Sequence, residues 1–514
     1  MNEKSRTENS IRNVISGICS QIFILIITFL SRTLFIKILG SEYLGINGLY
    51  SNILTILSLA ELGIGNVTVF YLYKPIKEND KETIVKYINF YRKIYIIIAC
   101  TILTVGLCLI PLLDKIVESS LDKTELIIYY VLFLLNTVFS YIGIYKSVVI
   151  ETDQKSYVKN IAKTEFSIIQ NILQLICIWI FKNYYIYLII QISCTLGNNL
   201  YLQAKAQKMY PFLNGKGTLE KSKKMELLKS VKETFLYKLG EVLLNSTDYL
   251  LISIMLGTIV VGYYSNYSMI ISAVSLIITT IATSISASVG NLNAQENQTQ
   301  NHKVFLILVY LFNIISIIGM NGFFIVINDF ITIWIGEQYL LSVDVILIIA
   351  VSFYVANSQA PLWMYREALG LFKEVKVIGL IAAITNLVLS IILGKIMGLA
   401  GILLATPIAK LLTSSVIEPI IIYKKNFKVS VKPYFIKQIK YVIIAVISLV
   451  ANIYICNYIQ LENIYINLIL KVLISGTLST VICVISTIKT EELNEIKGII
   501  LNKIRAKKGA IDGG

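Results

Sequence analysis

In the stretch ETFLYKLGEVLLNSTDYLL, residues Lys238, Glu241, Asn245 and Asp248 are spaced three, four and three apart. On a helix that spacing returns to one face, placing a cation, two carboxylates and an amide in line. Lys238 and Glu241 can neutralise each other locally, but Asn245 and Asp248 need something else, which points to a water-lined cleft. The stretch FLSRTLFIKILGSEYLGINGLYSNILTILSLAELGIG adds Arg32 near the end of one apolar run and Glu61 inside the next. A charge at mid-membrane costs at least ~2.5–3.5 kcal/mol, so each charge requires a cavity or a partner. Arg32 is close enough to its end to reach the headgroups by snorkelling; a glutamate is too short for that. Further along, Asn357, Gln359 and Trp363 lie in one apolar run with Arg366 at its end. Amides and aromatics suit sugar hydroxyls and faces, and Arg366 suits either a phosphate or an ordinary basic flank.

The elements that must carry these residues are membrane helices. Of 514 residues, 56% are hydrophobic, with a mean hydropathy of +0.72, above the range of soluble domains. The apolar runs are continuous and near the roughly 20 residues a spanning helix needs, unlike the short alternating strands of a membrane barrel. Fourteen spans are predicted, at about 13–36, 43–71, 94–113, 126–145, 164–181, 184–204, 233–256, 259–287, 304–327, 343–364, 377–397, 399–422, 441–459 and 464–487. The fold class expected is an all-α polytopic membrane protein.

The net charge of +15 reflects topology. One set of alternate connections holds almost all the basic residues. The other holds only Lys37, Lys115, Lys123, Lys182 and Lys395, while Arg32, Lys238, Lys410 and Lys471 lie within spans. The positive-inside rule puts both termini in the cytoplasm, and attraction to anionic inner-leaflet lipid leaves no need for nucleic acid. The cysteines all fall in apolar runs and His302 is the single histidine, which argues against a disulfide framework and a multi-histidine metal site.

LGSEYLGINGLYS and LGTIVVGYYSNYS share L-G-x4-G-x4-Y-S, with Gly40, Gly45, Tyr50 and Ser51 matching Gly257, Gly262, Tyr267 and Ser268 at an offset of 217. Six spans separate the copies, so the lobes run in the same sense, a parallel repeat. The organisation expected is a six-helix lobe over 1–204, a basic connector over 205–232 with an interfacial helix, a second lobe over 233–422, a basic loop over 423–440, two further spans over 441–487, and a tail over 488–514 with Leu493, Ile496, Ile500 and Ile504 on one face. Arg32 and Asp248 precede their repeat glycines by eight and nine residues. Similar depth in opposing lobes suggests an outer gate closed by these two charges.

No nucleotide-binding G-x4-G-K-[ST] loop, Asp-x-Asp pair or Ser-His-Asp set occurs, and no loop is large enough to be obviously catalytic. An enzyme is not expected.

FLSRTLFIKILGSEYLGINGLYSNILTILSLAELGIG, YLYKPIKENDKETIVKYINFYRKIY, SVGNLNAQE and YREALGLFK resemble the Wzx-type polysaccharide-unit flippases of the multidrug/oligosaccharidyl-lipid/polysaccharide (MOP) superfamily. The resemblance spans nearly the whole chain and is loosest over the last two spans. It implies a MATE-like pair of six-helix lobes with two extra C-terminal helices in a bacterial plasma membrane. The implied substrate is an undecaprenyl-pyrophosphate-linked oligosaccharide turned from inner to outer leaflet, for capsule or another surface polysaccharide. Arg32, Lys238 and Arg366 become candidates for the pyrophosphate, and Glu61, Glu241 and Asp248 for coupling to a proton or sodium gradient. No cofactor is implied; membrane lipid, the polysaccharide polymerase and other assembly proteins are the partners. A lipid II flippase, a MATE-type cation antiporter and a membrane polymerase are the rival readings.

Overall fold

The computed structural model describes residues 3–61, 64–153, 155–293, 298–459 and 461–498. The side chains of residues 3–18 and of some further helical positions, Lys238, Glu241 and Asn245 among them, are outside the described set. So are Ile500 and Ile504 of the expected tail face.

The described residues are helical, with no strand among them. The main helices are α1 (Glu3–Leu39), α2 (Ser41–Leu57), α3 (Ile64–Lys77), α4 (Lys81–Cys108), α5 (Lys123–Ser140), α6 (Ser156–Phe181), α7 (Tyr184–Met209), α8 (Lys221–Leu256), α9 (Thr258–Asn293), α10 (Gln298–Trp334), α11 (Val343–Ser358), α12 (Ala360–Ala368), α13 (Phe372–Met397), α14 (Leu399–Leu412), α15 (Ser414–Ile422), α16 (Lys432–Asn457) and α17 (Ile464–Thr487). Eleven helical segments among the described residues are long and apolar enough to cross a membrane. The other three predicted spans fall on α2–α3, on α7 and on α8.

Local chemistry starts and stops these helices. Asp80 accepts from the Thr83 amide (3.0 Å) and Asp122 from the Thr124 amide (2.9 Å). Each satisfies an orphan donor at a helix start. Several spans predicted as continuous are interrupted. Span 43–71 breaks at a 3-10 turn over Ser58–Glu61, just before the glycines of Gly63-Ile64-Gly65, which weaken a helix. Span 343–364 breaks at Gln359, with Pro361 in the first turn of α12, where proline lacks an amide to continue the ladder. Span 399–422 breaks at Thr413 (φ −116°, ψ −86°). Residues 221–232, expected in the connector, are instead the first turns of α8 and continuous with the following span.

The repeat is visible in the helix boundaries. α1 ends at Leu39 and α8 at Leu256, and α2 begins at Ser41 and α9 at Thr258. Each pair keeps the 217-residue offset. Between these pairs stand Gly40 (φ 89°, ψ 179°) and Gly257 (φ 88°, ψ 163°), in the same left-handed conformation that glycine adopts without strain. The tyrosines match as well. Tyr50 donates to the Leu126 carbonyl at the start of α5 (3.0 Å). Tyr267 accepts from the Leu341 amide at the entry to α11 (3.0 Å) and donates to Asn328 Oδ1 (2.8 Å).

Packing divides the chain into two compact units, Met1–Ser265 and Asn266–Gly514. Within the first, α2 and the start of α9 touch at backbone distance. A Cβ on Gly45 would lie 1.8 Å from the Thr258 carbonyl oxygen, and one on Gly262 would lie 2.2 Å from that of Ser41. Since Ser41 corresponds to Thr258 and Gly45 to Gly262, the contact is reciprocal, as a two-fold-related contact must be. It ties α8 and the first turns of α9 to the first unit.

In the second unit, α16 and α17 are fastened to α10 by a buried polar node. The Asn321 amide donates to Ser448 Oγ (2.7 Å) and Ser479 Oγ (3.0 Å), and Asn452 donates to Ser479 Oγ (3.0 Å). An ion pair, Lys471 Nζ to Asp329 Oδ2 (2.6 Å), adds to it. Polar groups away from water bond across helices in this way.

Candidate functional site

In the first unit, Arg32 and Asp248 lie within about three helical turns of the repeat glycines Gly40 and Gly257. Arg32, on α1 and partly buried, donates from Nη2 to Ser265 Oγ (2.5 Å). Ser265 in turn donates to the Gly262 carbonyl (2.7 Å). Tyr187 and Tyr249 lie within electrostatic range of the guanidinium. Arg32 is therefore linked through one hydroxyl to the glycine at which α9 meets α2. Asp248 lies on α8 and is 7% exposed. Lys238, Glu241 and Asn245 occupy the same α8 face by register. Glu61 ends the 3-10 turn that splits the second span, half-buried, beside Tyr95 and Tyr141.

A strap crosses this corner. Glu42 Oε1 accepts from Ser119 Oγ (2.6 Å) and the Ser120 amide (2.6 Å), and Oε2 from Ser120 Oγ (2.7 Å). A few residues back, the Glu118 carbonyl accepts from the Thr258 amide (3.0 Å) and hydroxyl (2.8 Å), and the Ile116 carbonyl from Ser253 Oγ (2.7 Å). The segment 116–120 is thus bonded to both repeat corners. Burial works to raise the Glu42 carboxyl, but the hydrogen bonds from Ser119 and Ser120 outweigh it and hold the group below its ordinary range. Sequence reasoning missed this strap, because neither serine carries a signal until the loop is placed.

In the second unit the remaining candidates cluster at the break between α11 and α12. Asn357 is buried and donates to Ser275 Oγ (3.2 Å) and the Phe353 carbonyl (2.9 Å). Gln359 donates to Ser415 Oγ, and Trp363 is half-buried on α12. Arg366 Nη1 meets Glu418 Oε1 at 2.8 Å, the two side chains being 11% and 9% exposed. Glu418 was not singled out from sequence, although an acid in the run SSVIEPIII was the available signal.

Other polar span residues bind neighbouring backbone. Gln174 donates to the Tyr187 carbonyl (3.1 Å) and Asn199 to those of Phe139 and Ser140 (3.3 and 2.7 Å). Seven tyrosines, Tyr50, Tyr91, Tyr130, Tyr267, Tyr365, Tyr423 and Tyr441, are fully buried in the core.

Residues 10–287 match the family model described as polysaccharide biosynthesis protein. No individually curated protein matches the chain. Among solved structures, the lipid II flippase MurJ in an inward closed conformation superposes with TM-score 0.65 at 17% identity, over 93% of this chain and 99% of that one. An inward-facing multidrug resistance MATE transporter of the MOP superfamily gives 0.59 at 12%, over 78% and 95%. A variant of the Vibrio cholerae MATE transporter VcmN gives 0.56 at 12%, over 83% and 99%. At these identities the likeness is one of fold: two pseudo-symmetric helical lobes of MATE type.

Proposed function

Because the chain belongs to the polysaccharide biosynthesis protein family, within the MATE-like fold of the MOP superfamily, we propose that it is a flippase. It carries undecaprenyl-pyrophosphate-linked oligosaccharide units from the inner to the outer leaflet of a bacterial plasma membrane, for a surface polysaccharide, with both termini cytoplasmic. One observation supports this reading above the others. Arg32, Glu61, Lys238, Glu241 and Asp248 all stand in spans inside the matched segment 10–287, where a charge persists only against a cavity or a partner.

A lipid-linked sugar needs water around its head and hydrocarbon around its tail. A charged, amide-bearing helix face supplies the first, and a membrane-embedded lobe leaves the second open. Arg32 and Lys238 present cations to the pyrophosphate, for which a guanidinium fork is the better geometric match. Arg366, in the second unit, is a further candidate cation and is paired with Glu418. Glu61, Glu241 and Asp248 are the carboxylates through which a proton or sodium gradient would act, and Arg32 and Asp248 are the proposed outer gate.

The test is transport in inverted vesicles loaded with undecaprenyl-pyrophosphate oligosaccharide, read as lectin access to the sugar on the far leaflet. Protein-dependent access that falls at least about tenfold in Arg32→Ala and Asp248→Asn, the effect of losing one charge-assisted bond, supports the assignment. Lengthening of the sugar without crossing would make the protein a polymerase. Expulsion of a cationic dye without sugar crossing would make it an antiporter, and selective movement of lipid II would make it a lipid II flippase.

A further inference from the structure

A cavity of about 220 Å³ opens in the first unit between the middle of α4, the segment just after α5 and the last turns of α7. Its polar wall is Arg92, Tyr145 and Gln203, and its apolar rim includes Ile96 and Ile142. We propose that this groove binds the phosphate headgroup of an anionic membrane lipid.

Arg92 is the cation that faces the groove. It is exposed and makes no hydrogen bond or ion pair with the described residues. A second cation stands within its electrostatic range: Lys146, almost fully buried, with Nζ donating to the neutral Asn214 Oδ1 (3.0 Å). Two like charges without an acid between them repel, and an anion on the open side relieves that repulsion. Neither nearby acid is recorded in contact with Arg92. Glu151 is held by Lys159 (2.8 Å), and Glu61 interacts with Tyr95 and Tyr141 of the cavity lining.

The floor is shaped for close approach. Gly143 is left-handed (φ 82°), and a Cβ there would lie 2.6 Å from Gln203 Oε1. The Gln203 amide therefore packs directly on the Gly143 backbone and lines the same cavity as Arg92.

The rim identifies the ligand as a lipid. Ile96 is 53% and Ile142 42% exposed, and Ile96 is one helical turn, ~6 Å, from Arg92. An apolar chain can run along them while a phosphate sits on the guanidinium, which takes two of its oxygens at once. Lys155, Lys159 and Lys163 stand on a connection of the same basic class as Arg92, the side the positive-inside rule assigns to the leaflet rich in anionic lipid. The inference shares that sidedness with the proposed function. Its readout is binding, so loss of transport and loss of this site are separable.

The experiment uses the full-length protein purified in neutral detergent. Its thermal unfolding midpoint is followed against phosphatidylglycerol, phosphatidylcholine of the same chains, and inorganic phosphate. Phosphatidylglycerol raises the midpoint and the other two do not. Arg92→Gln shifts the half-effective phosphatidylglycerol concentration up about fivefold, the contribution of one basic side chain at an anionic surface. Lys93→Gln, an exposed neighbour, leaves it unchanged. Equal shifts in both variants would mean diffuse charge attraction and overturn the site, as would no shift in Arg92→Gln. Inorganic phosphate reproducing the stabilisation would overturn the lipid assignment. If Arg92→Gln does not fold, Arg92→Lys keeps the charge and loses the fork; a smaller shift in the same direction is expected, and no shift overturns the proposal.

Discussion

At Arg366 the fate of a span charge depends on a partner 52 positions away in sequence. The Glu418 carboxylate holds it where both side chains are about one-tenth exposed. Removing one member leaves the other charge buried, which costs ~3–5 kcal/mol, whereas replacing both with apolar groups is often neutral. Glu418→Gln should therefore lower the thermal unfolding midpoint in detergent sharply, and the double variant Arg366→Met with Glu418→Leu should recover most of the loss. A double variant as unstable as the single would show that the pair is not the cause. Glu42 supplies the pH-dependent counterpart. Its folded carboxyl is depressed, so its contribution is complete above the ordinary glutamate value of about 4.3 and is lost as pH falls through the lower folded value. Unfolding midpoints of wild type and Glu42→Gln should differ at neutral pH, and the gap should close in acid. A gap independent of pH would mean the strap does not depend on the carboxylate.

At the scale of elements, the corner glycines set how closely α2 and α9 approach. A methyl at Gly45 or Gly262 meets a carbonyl oxygen, which cannot rotate away as a side chain could. Overpacking of this kind costs typically ~1–3 kcal/mol. Gly45→Ala and Gly262→Ala should each lower the unfolding midpoint. Gly322→Ala, where an added Cβ meets nothing within 4 Å, should leave it unchanged or raise it slightly, since alanine is the better helix former. Equal behaviour of the three variants would mean the corner tolerates separation. Element boundaries were legible from sequence where a cap or glycine marked them, as at Gly40 and Gly257. The breaks at Gln359 and Thr413 were not, because hydropathy stays high across them and a single-residue kink leaves the apolar count intact.

For the molecule as a whole, the distribution of basic residues predicts sidedness. In a cysteine-free background, Glu337→Cys and Lys216→Cys occupy exposed positions on connections of opposite class. A membrane-impermeant maleimide applied to intact cells should label the first and not the second. The reverse result would invert the topology and move the Arg92 groove to the other leaflet.

The sequence by itself determined that this is a helical membrane protein, where most spans run, and that two halves repeat at a fixed offset. Those properties are additive along the chain: apolar length, charge in connections and backbone freedom at glycine are local quantities. Only the tertiary structure decided which charge is held by which group. Arg32 rests on Ser265, Arg366 on Glu418 and Lys471 on Asp329, while Arg92 faces an open groove. Helical register narrows a side chain to a face, and a partner hundreds of residues distant is fixed by packing, so the pairing of buried charges is a property of the fold and not of any single segment.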